Sequence, residues 1–297
     1  MNATRVIALS SAVGAVIAAT LFLTGCSPAA TPTAGPSEAP TSAFQHIHEL
    51  VPDASDGTLL IATHEGLYRL TIGSGGATAA AGPIGGLDFD PMGFTLANGI
   101  AYASGHPGPT TPATFGSPNL GLITSTDVGE TWSNVSLTGQ VDFHGLTVTT
   151  SGEGDPRVFG YDASEGRVKR SLDGGVTWSA GAALSARDML AVNDQLYATT
   201  AEGLAISDDD GDTFTIDLDA PGLYLIAGDG DGTLAGIDTS GTIWTRPAGQ
   251  DWVHGHTVEG TPQALAVAGA RLYVADDRGI AYTDDSGATW VVLKVHK

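Results

Sequence analysis

Three regimes of hydrophobic patterning divide the chain. Residues 6–23, from Val6 to Leu23, form an uninterrupted, mostly apolar run without charge. Residues 27–43, SPAATPTAGPSEAPTSA, carry too little apolar content to bury a core; Pro, Thr, Ala and Ser at that density make an extended, solvated spacer. From residue 44 onward, short apolar runs such as Leu59-Leu60-Ile61-Ala62, Leu196-Tyr197-Ala198 and Leu272-Tyr273-Val274-Ala275 are each followed by a Gly-containing turn. Such runs, bounded by such turns, predict β-strands joined as hairpins. Helix signals are absent after residue 25.

A repeat organises these strands. Ser125, Asp127, Gly129, Thr131 and Trp132 recur as Ser171, Asp173, Gly175, Thr177 and Trp178. The set returns as Ser207, Asp209, Gly211, Thr213 and Phe214, and again as Thr283, Asp285, Gly287, Thr289 and Trp290. Ser207 and Thr283 are 76 residues apart, twice 38, and halfway lies a degraded copy that keeps Gly249 and Trp252. Upstream, the segment from Gly66 aligns as a sixth unit that has lost the Asp and the Trp. In each turn the Asp caps backbone N–H groups, the Gly takes a conformation other residues resist, and the aromatic folds back as a plug. Six units of four short strands, spaced by 36 to about 55 residues, predict an all-β fold: a six-bladed β-propeller of four-stranded antiparallel blades. The blades are expected at 44–86, 87–139, 140–184, 185–220, 221–260 and 261–297.

The turn motif resembles the Asp box of sialidase-type (BNR) repeats. That resemblance implies a turn between the third and outermost strands of a blade that does no chemistry. Asp127, Asp173, Asp209 and Asp285, with Trp132, Trp178, Phe214 and Trp290, are then structural. Over its whole mature length, with a HIHEL start (46–50), an MGF strand (92–94), a GHPG loop (105–108) and a DFHGL strand (142–146), the chain resembles bacterial Asp-box propeller lipoproteins described as sialidase-like or glycosylhydrolase-like. What this implies concerns the fold and the histidines discussed below, and hardly any particular reaction.

The apolar run at the start reads as an export signal. Arg5 supplies a positive n-region, and a run of about 18 residues could just span a bilayer. The ending Leu23-Thr24-Gly25-Cys26 puts small residues where a signal peptidase cuts. It is similar to the lipobox of bacterial lipoproteins, which implies a lipidated Cys26 as the new N-terminus. The expected organisation is therefore a signal peptide at 1–25, lipidated Cys and linker at 26–43, and the propeller at 44–297. Such a protein would be a monomer, extracytoplasmic and lipid-anchored to the outer face of the cell membrane.

Charge narrows the partners. The chain carries 12 basic against 33 acidic side chains, a net −21 with a pI near 4.3. Removing residues 1–25 leaves 11 bases against 33 acids, a net −22. Phosphate neutralisation needs clustered Lys and Arg, so a nucleic-acid partner is excluded; the acidity reads as solubility beside an anionic surface. A single cysteine excludes intramolecular disulfides and cysteine-based metal sites.

Candidate chemistry lies on the inner strands, which align as HIHEL (46–50), DPMGF (90–94), DFHGL (142–146), ARDML (186–190), GLYLI (222–226) and TPQAL (261–265). The channel-facing register holds His48, Met92, His144, Asp188, Tyr224 and Gln263. Two residues earlier, on the same face of a strand, come His46, Asp90, Asp142, Ala186, Gly222 and Thr261. His64 and His106 end second strands, at the rim where first strands begin. His46, His48, His64, His106 and His144, with Asp90, Met92 and Asp142, are thus expected on one sector of the rim opposite the boxes. His254, His256 and His296 fall on outer strands as surface residues.

Imidazoles and carboxylates together suit one transition metal ion, zinc or copper, with the Met92 thioether tilting the set toward copper. Asp90 or Asp142 would equally serve to orient a ligating histidine. Plain channel lining is the competing reading. The expected function is a binding module for a transition metal or small polar ligand. The alternatives are a glycoside hydrolase acting on cell-envelope or environmental glycans through Asp90, Asp142 and Asp188, or a protein-interaction scaffold. Whether the protein is an enzyme stays open at this level. The residues speak against a true sialidase, which needs three arginines gripping a carboxylate, because only Arg187 falls near an inner strand and no such triad is recognisable. The long insertion at 107–121 reads as a wall or lid of the site, or as a dispensable loop. Asp229 and Asp231 lack the further acids of a calcium loop and read as a turn.

Overall fold

Each apolar run pairs with the next through a tight turn, so the strands form antiparallel meanders in sequence order. Six sheets of four strands result, spanning 47–81, 90–136, 143–183, 188–216, 223–257 and 262–295. The computed structural model describes residues 44, 46–73, 76–150 and 154–295. The expected signal peptide, Cys26 and the linker, and His296, lie outside these residues. The first strand of each sheet packs beside the first strand of the next, and the sixth sheet closes on the first. The molecule is a six-bladed β-propeller, each strand quartet falling inside the segment expected for it.

Packing explains why the simple polar–apolar alternation fades in the middle strands. A blade is sandwiched between two neighbours, so both of its faces are covered. The second strand of blade 1, Thr58–Thr63, is buried at every position, whereas the outer strand of blade 5, Val253–Thr257, is largely exposed. The hydrophobic core is accordingly six separate cores, one per blade–blade interface.

Five of these interfaces are filled by the aromatic that follows the turn motif, which packs against the preceding blade. Trp132 lies between blades 1 and 2, Trp178 between 2 and 3, Phe214 between 3 and 4, Trp252 between 4 and 5, and Trp290 between 5 and 6. Blade 1 has no such residue. Phe44 takes the place, 1% exposed between blades 6 and 1 and edge-on to Tyr68 at 5.3 Å between ring centroids.

The four intact turns share one hydrogen-bond pattern. In blade 3, Ser171 Oγ donates to Asp173 Oδ1 (2.7 Å) and accepts from Gly175 N–H (2.8 Å). Thr177 donates its N–H to Oδ1 (2.9 Å) and its hydroxyl to Oδ2 (2.6 Å) of the same Asp173. The same bonds recur around Asp127, Asp209 and Asp285. Donors converging on each carboxylate hold it ionised: Asp127, Asp173 and Asp209 are lowered to about 2, and Asp285 is lowered as well. Glycine is required at 175 twice over. Its φ is +93°, and a Cβ there would stand 2.1 Å from Leu122 Cδ2 of the preceding blade.

Inner strands are also stitched across the blade joints, each time by a backbone N–H donating to a side chain of the preceding blade. Phe143 donates to Ser104 Oγ (2.9 Å), Ala191 to Thr147 Oγ1 (2.9 Å) and Ile226 to Asp188 Oδ2 (2.9 Å). Ile47 donates to Gln263 Oε1 (3.1 Å), which closes the ring.

Candidate metal and ligand site at the channel mouth

Bulges set the direction of the channel-lining side chains. Pairing between first and second strands skips one residue at His48, Met92, His144, Tyr224 and Gln263, in five of the six blades. An extra residue at a bulge bends the strand and re-aims its side chain, here toward the axis. In the remaining blade the corresponding residue, Asp188, is the first residue of its strand.

The channel has two chambers. The one at the rim where first strands begin is about 450 Å³ and is lined by His46, His48, Met92, His144, Arg187 and Tyr224, among others. The other, about 620 Å³, opens on the rim that carries the turn motifs, where Asp229 and Asp231 form a tight turn closed by Gly232 N–H to Asp229 O (3.1 Å). Glu49, Asp188 and Leu265 line both chambers and so mark the waist between them.

The five rim histidines separate into two groups, each built on one aspartate. In the first, His64 Nδ1 lies 2.8 Å from Asp90 Oδ2, His48 Nε2 lies 3.1 Å from Asp90 Oδ1, and the two imidazole nitrogens are 3.3 Å apart. His48 and Asp90 are largely buried and His64 is half-exposed. His46 stacks beside this group, 5.0 Å from the His64 ring centroid and 5.5 Å from that of His48. In the second group, His144 Nε2 and His106 Nε2 both approach Asp142 Oδ2, at 2.7 and 3.1 Å. Oδ1 of Asp90 and Oδ1 of Asp142 are buried without an aligned hydrogen bond. Each is an acceptor with unspent capacity, the kind of group that buried sites ordinarily satisfy.

The electrostatics follow from these contacts. Burial pushes the Asp90 carboxyl up, but the contacts with His48 and His64 outweigh it and hold the acid below its usual range. His144 is raised, chiefly by its hydrogen bond to Asp142. His46 is lowered, first by desolvation and then by the charges of His48 and His64. At the waist, burial drives Glu49 well up and Asp188 up to about 6. Asp188 is nevertheless committed to the fold, since Oδ1 accepts from Met189 N–H (2.7 Å) and Oδ2 from Ile226 N–H.

Of the rim residues singled out from the sequence, His46, His48, Met92 and His144 line the chamber, and Asp90, His64, Asp142 and His106 join them through the contacts above. His254 and His256 lie on the exposed outer strand of blade 5. The insertion at 107–121 is tied to residues 88, 105 and 134 of the same blade segment. Leu120 N–H donates to Gly105 O (2.8 Å), Thr110 N–H to Asp88 Oδ1 (3.0 Å) and Asn134 Nδ2 to Thr114 O (2.6 Å). His106 Nδ1 meets Pro118 O of this insertion at 3.3 Å, which leaves Nε2 to Asp142. Strict alternation sends Glu49 away from the channel; the bulge at His48 turns it inward, a step with no signature in the sequence. A further cleft of about 530 Å³ lies between the outer parts of blades 5 and 6, but there Arg278 is paired with Asp276 (2.7 Å) and Glu259 (2.7 Å).

No protein-family model and no curated protein matches the sequence. Solved structures do match in fold. A chain of the nidogen–laminin complex superposes with a TM-score of 0.60 at 14% identity, covering 79% of this chain and 91% of that one. A gluconolactonase from Xanthomonas campestris gives 0.55 at 11% identity over 80% and 84% of the two chains. A GH74 xyloglucanase from the same organism gives 0.54 at 16% identity; the match covers 84% of this chain but 45% of that enzyme. At such identities the likeness extends to the propeller architecture, which hosts many unrelated functions.

Proposed function

We propose that this chain is a lipid-anchored, extracytoplasmic propeller of the Asp-box type, a binding module whose channel mouth holds one transition metal ion, zinc or copper, through His48, His64 and Asp90. The observation that carries the reading is the donor triangle. Three potential ligand atoms, one per residue, lie within 4.8 Å of one another. Tetrahedral zinc with bonds of about 2.0–2.1 Å places its donors roughly 3.3 Å apart; His48 Nε2 and His64 Nδ1 are 3.3 Å apart, and the Asp90 carboxylate meets them through different oxygens, Oδ1 at 3.1 Å from His48 and Oδ2 at 2.8 Å from His64. Three protein ligands would leave a fourth coordination position open to water or a small polar molecule, and His48 lines the chamber. Met92 on the chamber wall would favour copper. The lipid anchor and export rest on the Leu23-Thr24-Gly25-Cys26 motif.

Elemental analysis of the full-length protein, purified without chelator or polyhistidine tag, tests the metal. About one equivalent of zinc or copper is expected, lost in His48→Ala and His64→Ala and kept in His254→Ala. No metal after reconstitution with either ion would overturn the proposal.

One observation favours a second reading, glycoside hydrolysis. Burial raises Glu49, which lines the chamber, and a general acid must hold its proton near neutral pH. Aryl-glycoside turnover abolished by Glu49→Gln, or by Asp90→Asn or Asp142→Asn, would establish it; no turnover would remove it.

A further inference from the structure

Arg187 stands apart from every other arginine among the described residues. The seven others each lie 3.9 Å or closer to a carboxylate oxygen, as expected in a chain with so many acids. The Arg187 guanidinium makes neither a hydrogen bond nor an ion pair with any described residue. Its backbone N–H donates to Thr199 O (2.8 Å), and its guanidinium carbon stands 4.5 Å over the centre of the Tyr224 ring. Stacking fixes the plane of the fork and leaves its N–H edge unspent. Arg187 and Tyr224 both line the 450 Å³ chamber, with His46, His48 and His144. Its charge is felt at His46, His144, Glu49 and Asp188, which places it in electrostatic contact with both ends of that space.

We infer that the chamber binds a small hydroxylated organic acid whose carboxylate is gripped by the Arg187 fork while its hydroxyl groups meet the rim imidazoles. This names the ligand class of the binding module proposed above and rests on that reading. A planar carboxylate matches a single guanidinium fork with two parallel hydrogen bonds. Phosphate fits less well. No lysine lines the chamber, and its wall includes Glu49 and Asp188, so a dianion would meet one cation and an acidic surround. A chamber of about 450 Å³ is within the range of small-molecule sites and is the size for one sugar-acid-like molecule.

The test is calorimetric titration of the full-length protein with D-gluconate, D-glucuronate, the uncharged polyol D-glucitol and inorganic phosphate, with metal content measured on the same samples. At least one of the two acids should bind at least about tenfold more tightly than D-glucitol, and more tightly than phosphate. Charge-assisted hydrogen bonds of this kind make Arg187→Gln weaken the acid by about 10- to 100-fold. Arg187→Lys, which keeps the charge and loses the fork, should recover only part of that. Both variants should keep the metal content and melt within a few degrees of the parent, since Arg187 is an exposed residue. Acids binding no better than D-glucitol, phosphate binding best, or an Arg187→Gln variant with undiminished affinity would each overturn the inference. Metal bound without acid binding removes this inference alone. Acid binding that depends on Arg187 in a protein without metal removes the metal proposal and leaves this one standing.

Discussion

Replacing Phe44 by alanine probes how the ring is held shut. Five blade joints contain an aromatic from the turn motif; the joint between blades 6 and 1 contains Phe44 instead, 1% exposed. A buried Phe→Ala change costs about 3–5 kcal/mol, through lost transfer energy and the cavity left behind. Within that sum, the edge-on contact with Tyr68 at 5.3 Å accounts for roughly 0.5–1.5 kcal/mol. Lys294 Nζ, 5.5 Å from the ring centre, contributes on the order of 0.5 kcal/mol more. We therefore expect a loss of about 4 kcal/mol. For a domain of this size that is a drop of roughly 8–16 °C in Tm, read by scanning calorimetry. Val292→Ala, at a position 61% exposed on the outermost strand of blade 6, is the control and should stay within about 0.5 kcal/mol. Amide exchange should quicken first in Ile47–Asp53 and Pro262–Ala268, the inner strands that Phe44 helps to join. A loss below about 1 kcal/mol, or exchange quickened uniformly around the ring, would refute the idea that Phe44 substitutes for the missing aromatic.

Two further predictions concern protons. Asp173 is lowered to about 2, chiefly by the hydroxyl and N–H of Thr177, so its contribution is complete above its ordinary value of 3.8 and is lost as pH falls toward about 2. The urea midpoint of the parent should therefore drop between about pH 4 and pH 2 more steeply than that of Asp173→Asn; equal slopes would show that the capped carboxylate is not what acid attacks. His144 should titrate by NMR above 6.5, because Asp142 holds its imidazolium, and in Asp142→Asn it should move down, since only the more weakly acting Asp90 charge then opposes desolvation and the Arg187 charge. Being raised in the fold, His144 stabilises fully below pH 6.5 and loses that contribution as pH climbs through its folded value; no downward shift in the variant would refute the assignment.

The blade count and the rim were readable from the residues because their causes are local. The hydrogen bonds of a turn motif join residues at most four apart, so each copy announces one blade wherever it stands. Short antiparallel strands joined by tight turns then determine which strand ends share a rim, and that alone brings His46, His48, His64, His106 and His144 to one face. The alternation rule identified His48, Met92 and His144 as channel-facing, although they face it as bulge residues.

What the tertiary structure decided is everything that depends on the meeting of two blades. The division of the histidines between Asp90 and Asp142 arises because the end of one blade's second strand meets the start of the next blade's first strand. Asp188 looked like a free channel acid but accepts a backbone N–H from blade 5, and Phe44, outside any repeat, fills the joint that lacks a plug. Glu49 faces the waist through a bulge that no periodicity announces. Among the described residues no acid forms an ion pair with Arg187, an outcome set by how blades 4 and 5 meet around it. Local pattern sets which strands form and in what order; contacts between residues far apart in the chain set which polar atoms are spent and which remain available to a ligand.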